Sequence, residues 1–183
     1  EFLNHQREFD VDNIEWCPQE VSRLWRYNLH YFDYLRDASF NAEKKQAILN
    51  SWVSLNPQNS QPGWEPFTCS LRIVNWIFYL NKNTSLASQS IIDSLFLQAL
   101  WLEKNDEKHI LANHYFENIK ALLFAGCFFQ NINSTDKNAV RWLRFAKQEI
   151  IQQLNEQTLQ DGGHYERSPQ YHCLMLENYL DIY

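Results

Sequence analysis

The chain has 183 residues, a formal net charge of −6 at pH 7 and an apolar fraction of 45%, with aromatic residues at 15%. This length is sufficient for one domain with a packed core, and the aromatic content excludes a disordered chain. Lys- or Arg-rich runs and membrane-length apolar runs are absent, so neither a nucleic-acid partner nor a membrane span is predicted.

The cysteines give no sign of a disulfide framework or a metal site. They are far apart and lack a CxxC spacing, and a core of this size does not need disulfides. Cys127, within LLFAGCFF, is predicted to be buried like a small apolar side chain. The histidine spacings are not strong ligand patterns, so no metal and no other cofactor is predicted.

Few Gly and Pro residues, together with apolar residues three and four positions apart, predict an all-α chain. The helix over 68–80 is apolar almost all round, so its polar residues Arg72 and Asn75 must have buried partners. In chain order, helices are predicted over 41–54, 68–80, 88–102, 112–129 and 137–154.

A last helix is predicted to begin at Ser168, a natural N-cap, followed by Pro169. Gly162 and Gly163 supply a flexible approach to it. Tyr171 lies on the row of Met175 and Asn178 and is predicted to face a cleft. The neighbouring row is predicted to face the core: His172, Leu176, Tyr179, Leu180 and Tyr183.

Helices joined in pairs by short polar links favour an (α/α) toroid of helical hairpins, or a hairpin array, over an open bundle. The simplest domain organisation is a single helical domain over residues 1–183. Because the ending LENYLDIY is still apolar and periodic, we expect this domain to be an incomplete part of a longer protein.

Three stretches concentrate polar side chains among aromatic ones: LWRYNLHYFDYL, HILANHYFENIKALLFAG and DGGHYERSPQYH. In the second, Asn113 and Glu117 are one helical turn apart, as are His114 and Asn118. Such groups either satisfy hydrogen bonds between helices, as most buried Asn and His do, or carry chemistry. No GxSxG or equivalent signature of a nucleophile occurs.

These stretches, with FLN near the start and GWEPFTCSLRIVNW at 63–76, resemble the helical N-terminal domain of the heparinase II/III-like polysaccharide lyases. The resemblance covers nearly the whole chain. It implies a partial (α/α) toroid whose C-terminal β-sandwich partner domain is absent from this sequence. It also implies a bacterial, periplasmic or secreted lyase that cleaves a uronic-acid-containing anionic polysaccharide, such as a glycosaminoglycan or alginate, by β-elimination.

The resemblance also assigns catalytic residues. Asn113 matches the carboxylate-binding Asn of the family, His114 follows it, and Tyr171 matches the Tyr that transfers the proton. A Tyr with an ordinary pKa of about 10 is a poor base and needs a cation or donor nearby. Tyr165 is the rival for this role. Nothing matches the His that the family takes from its sandwich domain, so activity of this part alone is not predicted. Candidate partners of Tyr171 are His114, His172, Arg72 and Arg167.

A further group of residues is predicted to contact the sugar chain. For those in the first half of the chain, packing between helices is at least as good an explanation. The predicted contacts are His30, Tyr31, Trp64, Arg72, Asn75, Trp76, Glu117, Tyr165 and His172.

Two other functions remain open at this point. An α/α toroid can carry the paired carboxylates of a glycoside hydrolase, for which Asp161, Glu166 and Glu177 are available. The chain could also belong to a non-catalytic glycan-binding or exopolysaccharide-assembly protein, because motif residues alone do not guarantee chemistry.

Overall fold

A computed structural model describes residues 1–11, 13–83, 87–110 and 112–183. Within these residues the regular secondary structure is helical, and β-type pairing is limited to two isolated bridges. The all-α prediction is confirmed. The elements are α1 (Arg23–Tyr31), a 3₁₀ helix (Asp33–Arg36), α2 (Ala42–Leu55), α3 (Pro66–Lys82), α4 (Gln89–Lys104), α5 (Ala112–Ile132), α6 (Lys137–Gln157) and α7 (Pro169–Ile182).

The chain divides into two compact units, Glu1–Gln98 and Ala99–Tyr183, with the boundary inside α4. The single domain over residues 1–183 stays a prediction. Across the part of the chain that the structure describes, no helix combines the length and apolar character needed to cross a membrane.

Short polar side chains start the helices where the sequence suggests. Asn41 caps α2 by accepting a 2.8 Å hydrogen bond from the backbone N–H of Lys44. Ser168 caps α7 by accepting from the N–H of Tyr171, and Pro169 follows as the first helical residue. The predicted start of the last helix is therefore confirmed, and it places Tyr171 in the first turn of α7.

Aromatic rings fill the core of the first unit around α3. Trp76 packs edge-on against Phe32 and against Trp52, with ring centroids 5.4 Å apart in both pairs. Trp52 also stacks on Trp64, at 6.0 Å. Edge-to-face and offset pairs of this kind contribute beyond their buried area, so these rings are structural side chains of the unit.

In the second unit, α5 and α6 pack closely because Gly126 has no side chain. A Cβ atom at Gly126 would lie 2.7 Å from Cγ of Leu143 and 3.1 Å from the backbone oxygen of Ala139. Cys127, rotated from Gly126 by about 100° around the helix, is exposed. The prediction that Cys127 is buried is therefore wrong.

The face of α7 that is buried also differs from the prediction. The helix buries Met175 and Asn178, whereas His172 is exposed, and Leu176 and Leu180 are 49% and 67% exposed. Of the row predicted to face the core, His172, Leu176 and Leu180 are thus turned outward, while Tyr179 is half-buried and packs edge-on against Phe116 of α5. The reason is that Asn178 makes hydrogen bonds to polar side chains of α5, which hold its row against that helix.

Candidate active site

Asn113 and His114 lie in the first turn of α5, which begins at Ala112; Leu111 of the same motif lies outside the described residues. Asn113 is half-buried, and its Oδ1 atom is buried without a hydrogen-bond partner in the described part of the chain. Buried amide oxygens are normally paired, so the packing of the helix leaves this acceptor unused; Oδ1 of Asn75, in the first unit, likewise lacks a partner among the described residues.

Glu107 orients His114 from the segment that precedes α5. Its Oε1 lies 3.2 Å from Nδ1 of His114, whose side chain is 46% exposed. The backbone N–H of Glu107 donates to Oδ1 of the fully buried Asn118 at 2.7 Å. Asn118 therefore has a structural role, while His114 presents its ring to solvent next to Asn113.

Glu117 does not reach the surface. It is 6% exposed, and its Oε1 accepts a 2.7 Å hydrogen bond from Nδ2 of Asn178 on α7. Lys120, one turn further along α5, donates to Oδ1 of Asn178 at 2.7 Å and to Oδ2 of Asp181 at 2.6 Å. The predicted contact of Glu117 with sugar is replaced by a contact between helices. Sequence reasoning missed Lys120, although a Lys inside the apolar run IKALLFAG was a signal.

These contacts show that α5 and α7 run parallel. The pairs Glu117–Asn178 and Lys120–Asp181 are both separated by 61 residues, and only parallel helices keep such a difference constant. The first turns of α5 and α7 therefore lie at the same end of the pair. That end carries Tyr171 on one helix, and Asn113 and His114 on the other.

The same register relates Asn113 to Tyr171. Lys120 and Asn178, which are hydrogen-bonded, are 58 residues apart, as are Asn113 and Tyr171. Asn113 precedes Lys120 by seven residues, and Tyr171 precedes Asn178 by seven. Seven residues are about two helical turns. Asn113 therefore lies on the same row of α5 as Lys120, and Tyr171 lies on the same row of α7 as Asn178. The two rows that are joined by the hydrogen bond between Lys120 and Asn178 therefore carry Asn113 and Tyr171 at their N-terminal ends.

A tight hairpin leads from α6 into α7. The backbone N–H of Leu159 donates to the oxygen of Gly163 at 2.8 Å, and Thr158 pairs with His164 in an isolated antiparallel bridge. Gly162 has φ of 84°, a left-handed conformation that favours glycine. The hairpin folds back so that His164, 5% exposed, is buried beside the start of α7.

Tyr171 packs on His164, which was not among its predicted partners. Their ring centroids are 6.2 Å apart, and the Tyr171 side chain is 36% exposed. Nδ1 of His164 accepts from the N–H of Glu166 at 3.4 Å, so Nε2 is the ring nitrogen assigned as donor, and it lies 3.3 Å from Oε1 of Gln157. The signal for His164 was its place in the motif DGGHYERSPQYH.

Tyr165 and His172 flank this arrangement. The Tyr165 ring lies 4.8 Å from that of His164 and is 40% exposed, and partial burial together with Glu166 raises the pKa of its phenol. His172 lines a cavity of about 80 Å³ together with His164 and Tyr179. Both residues predicted to contact sugar are thus at the surface of the second unit.

His30, in the first unit, is a structural residue. It is 1% exposed; its Nε2 lies 2.9 Å from the backbone oxygen of Trp16, and its Nδ1 accepts from Nε1 of Trp52 at 2.9 Å. Burial, with a smaller contribution from the charge of Arg72, lowers its pKa from about 6.5 to about 3. His30 is therefore neutral and closed to a sugar ligand.

Arg72 is fully buried, and the prediction that it must have buried partners is confirmed. Its Nε donates to Oε1 of Gln98 at 2.8 Å, its Nη1 donates to the oxygen of Gly63 at 2.7 Å, and its guanidinium lies 4.0 Å from the centroid of Trp52. Burial lowers its pKa to about 10. Arg72 thus holds the first unit together rather than contacting a carboxylate of a substrate.

Asn75 likewise uses its amide internally, donating to the backbone oxygen of Tyr31 at 2.9 Å and to Oδ1 of Asp33 at 2.6 Å. Trp64 and Trp76 are 3% and 0% exposed. For these three residues the packing explanation describes the structure better than sugar contact does.

Tyr31 differs from its neighbours because it is half-exposed. Its ring is nearly parallel to that of Tyr27, at 6.4 Å, and burial raises the pKa of its phenol well above the ordinary value. Of the residues predicted to contact sugar in the first unit, Tyr31 is the one that reaches the surface.

Comparisons with known proteins agree with the fold. The sequence profile described as heparinase II/III N-terminus matches residues 1–183. A solved structure described as a heparinase III gene product is similar, with a TM-score of 0.67 and 18% sequence identity. The match covers 92% of this chain and 31% of that one, so the chain spans about a third of the relative's length. No sequence among the curated proteins matches.

The likeness to this solved structure confirms the predicted fold class, a partial (α/α) toroid. The family profile extends over the whole length of the sequence, as the motif resemblance predicted. The chain therefore belongs to the heparinase II/III N-terminal family.

Proposed function

We propose that this chain is the helical part of a polysaccharide lyase that cleaves a uronic-acid-containing anionic polysaccharide by β-elimination. The observation that carries the proposal is the parallel register of α5 and α7. It brings Asn113, His114 and Tyr171 to one end of the second unit, within a chain that belongs to the heparinase II/III family.

The first task in this reaction is to stabilise negative charge. The proton on C5 of a uronate is hard to remove because the carbanion forms next to a carboxylate. Asn113 donates a hydrogen bond from its amide to that carboxylate, at the N-terminal end of α5 where the helix dipole also favours an anion. A donor placed in this way contributes about 3 kcal/mol to the transition state.

The second task is proton transfer. The Tyr171 phenolate removes the C5 proton, the electron pair forms the C4=C5 double bond, and the bond between C4 and its glycosidic oxygen breaks. The Tyr171 phenol then returns the proton to the leaving oxygen, which restores the phenolate. A proton-transfer group in position typically contributes about 10²- to 10⁴-fold in rate. The ring of His164 packs against the ring of Tyr171, and His114 offers a donor at the same end of the helix pair.

The proposal includes a second domain. The family places an antiparallel β-sandwich after the toroid, many members use a His from that sandwich, and no residue here is matched to it. We therefore expect full activity only from the longer protein. The expected location, by the same resemblance, is the periplasm or the cell exterior.

Product analysis tests the proposal. The full-length protein is incubated with alginate, heparan, chondroitin and bacterial exopolysaccharides, and ultraviolet absorbance and product masses are measured. We expect new absorbance from the C4=C5 bond and masses that contain no added water. A product heavier by one water would assign a glycoside hydrolase. Binding without turnover would assign a glycan-binding protein.

A further inference from the structure

An ionic network is buried between α5 and α7. Glu117, Lys120 and Asn178 are 6%, 4% and 4% exposed, and Asp181 closes the network toward solvent. Lys120 donates at 2.7 Å to Asn178 and at 2.6 Å to Asp181, and its Nζ lies 4.0 Å from Oε2 of Glu117. Asn178 returns a hydrogen bond to Glu117 at 2.7 Å. The network thus joins both helices: Glu117, Lys120 and Asn178 each contact at least two other members, and Asp181 contacts Lys120.

Such a network is not the simplest way to join two helices. Removing an ammonium or a carboxylate from water costs several kcal/mol per ion, and apolar side chains of similar volume often stabilise as well or better. What the network adds is the selection of one register between α5 and α7, since each donor meets its acceptors at only one relative position of the two helices. A shift of α7 by one turn, about 5.4 Å, would break the hydrogen bonds that Asn178 makes with Glu117 and with Lys120.

The register that the network selects also determines how the proposed catalytic residues Asn113 and Tyr171 are placed relative to each other. Asn113 lies seven residues before Lys120 and Tyr171 seven before Asn178. We propose that Lys120 is a positioning residue, which fixes α7 against α5 and so sets Tyr171 relative to Asn113. This rests on the proposed function, because it assigns Lys120 a task in the same reaction.

The test uses the full-length protein and compares Lys120→Met with the double variant Glu117→Gln/Lys120→Met. The double variant leaves no unpaired ion between Glu117 and Lys120 and keeps an acceptor for Asn178. Glu149→Gln is the matched control: Glu149 is a little-exposed carboxylate that bonds Tyr115 of α5 and Lys108, so its loss weakens the unit without touching α7.

In both Lys120 variants we expect kcat to fall by about 10²-fold with KM changed less than about threefold, because a small misplacement of the base affects chemistry more than binding. Lys120→Arg, which keeps the charge, should recover part of the loss. Glu149→Gln should keep kcat within about threefold. A double variant that folds and retains kcat would overturn the proposal. A double variant that does not fold would overturn it as well, since the network would then serve the stability of the protein.

Hydrogen exchange separates this proposal from the proposed function. We expect the amides of 170–176 to exchange faster in the double variant and not in Glu149→Gln. If the wild-type protein eliminates no uronate glycan, the proposed function fails, while faster exchange still supports the register role. Unchanged exchange at 170–176 would contradict the register role in an active enzyme as well.

Discussion

Two sets of polar side chains, one in each unit, are used in opposite ways. In Glu1–Gln98, His30 and Arg72 are buried, and their hydrogen bonds end on groups of the same unit. In Ala99–Tyr183, His114 and Tyr171 lie in the first turns of helices with their side chains exposed. The contrast teaches that a polar motif among aromatic residues is structural where its partners are internal, and available for chemistry where it starts a helix.

The strongest way to break this contrast is to remove Arg72. We expect Arg72→Leu to lower the free energy of unfolding by about 3 kcal/mol, because the buried acceptors on Gly63 and Gln98 lose their donor. Denaturant unfolding measures the loss. Arg23→Leu is the control, since Arg23 is 62% exposed in its ion pair, and its loss should affect stability much less than the loss of Arg72. Equal effects of the two substitutions would remove the structural role of Arg72.

Gly63 tests how tightly His30 is held. A Cβ atom there would lie 2.8 Å from Nδ1 and 3.0 Å from Cε1 of His30, whose ring is fixed by two hydrogen bonds. We expect Gly63→Ala to destabilise the protein by about 2 kcal/mol, lowering Tm by about 4–8 °C for a chain of this size. Gly163→Ala, which meets only the end of the Asp161 side chain, is the control. A Tm equal to the control would show that His30 can move.

The acid sensitivity of the first unit should follow from His30. Its pKa is about 3 in the folded chain and about 6.5 when unfolded, so below pH 6.5 the unfolded state alone takes up the proton. Stability is then lost as pH falls from about 6.5 toward about 3, by about 1.4 kcal/mol per unit from this group.

The variant His30→Gln isolates this contribution, because a Gln side chain offers one acceptor and one donor to the same partners. Unfolding free energies at about pH 6.5 and about pH 5 should differ by about 2 kcal/mol more in the wild type than in the variant. The same slope in both proteins would show that other groups control the acid response.

The smallest effect is expected at His172. Because its side chain is exposed, His172→Ala should change the free energy of unfolding by less than about 0.5 kcal/mol. Thermal unfolding of the variant checks this directly. A loss of 2 kcal/mol or more, about what burial of a large side chain provides, would restore the core-facing row that the sequence predicted.

Sequence reasoning succeeded where the signal was local. Helical periodicity located α2 to α6 to within a few residues, although it did not predict α1 or the 3₁₀ helix. Ser168 and Pro169 marked the start of α7, and the apolar setting of Arg72 required partners for it. The motif resemblance led to the family that the profile comparison shows.

Sequence reasoning failed where the contacts of a side chain are made with residues distant in sequence. The periodicity of α7 favoured the row of Leu176 and Leu180, but Asn178 is buried because its acceptor and donor lie on α5, 58 and 61 residues away. His164 was missed for a similar reason, since its contact with Tyr171 depends on the hairpin that precedes α7.

A matched pair of tyrosines tests the central claim, that Tyr171 transfers the proton in a uronate elimination. Tyr171 and Tyr165 both pack on His164, are 36% and 40% exposed, and lose only a hydroxyl on change to Phe. With the full-length protein and a uronate glycan, Tyr171→Phe should lower the rate of C4=C5 absorbance by about 10²-fold or more, and Tyr165→Phe by less than about tenfold. A Tyr171→Phe variant that keeps the wild-type rate would contradict the account.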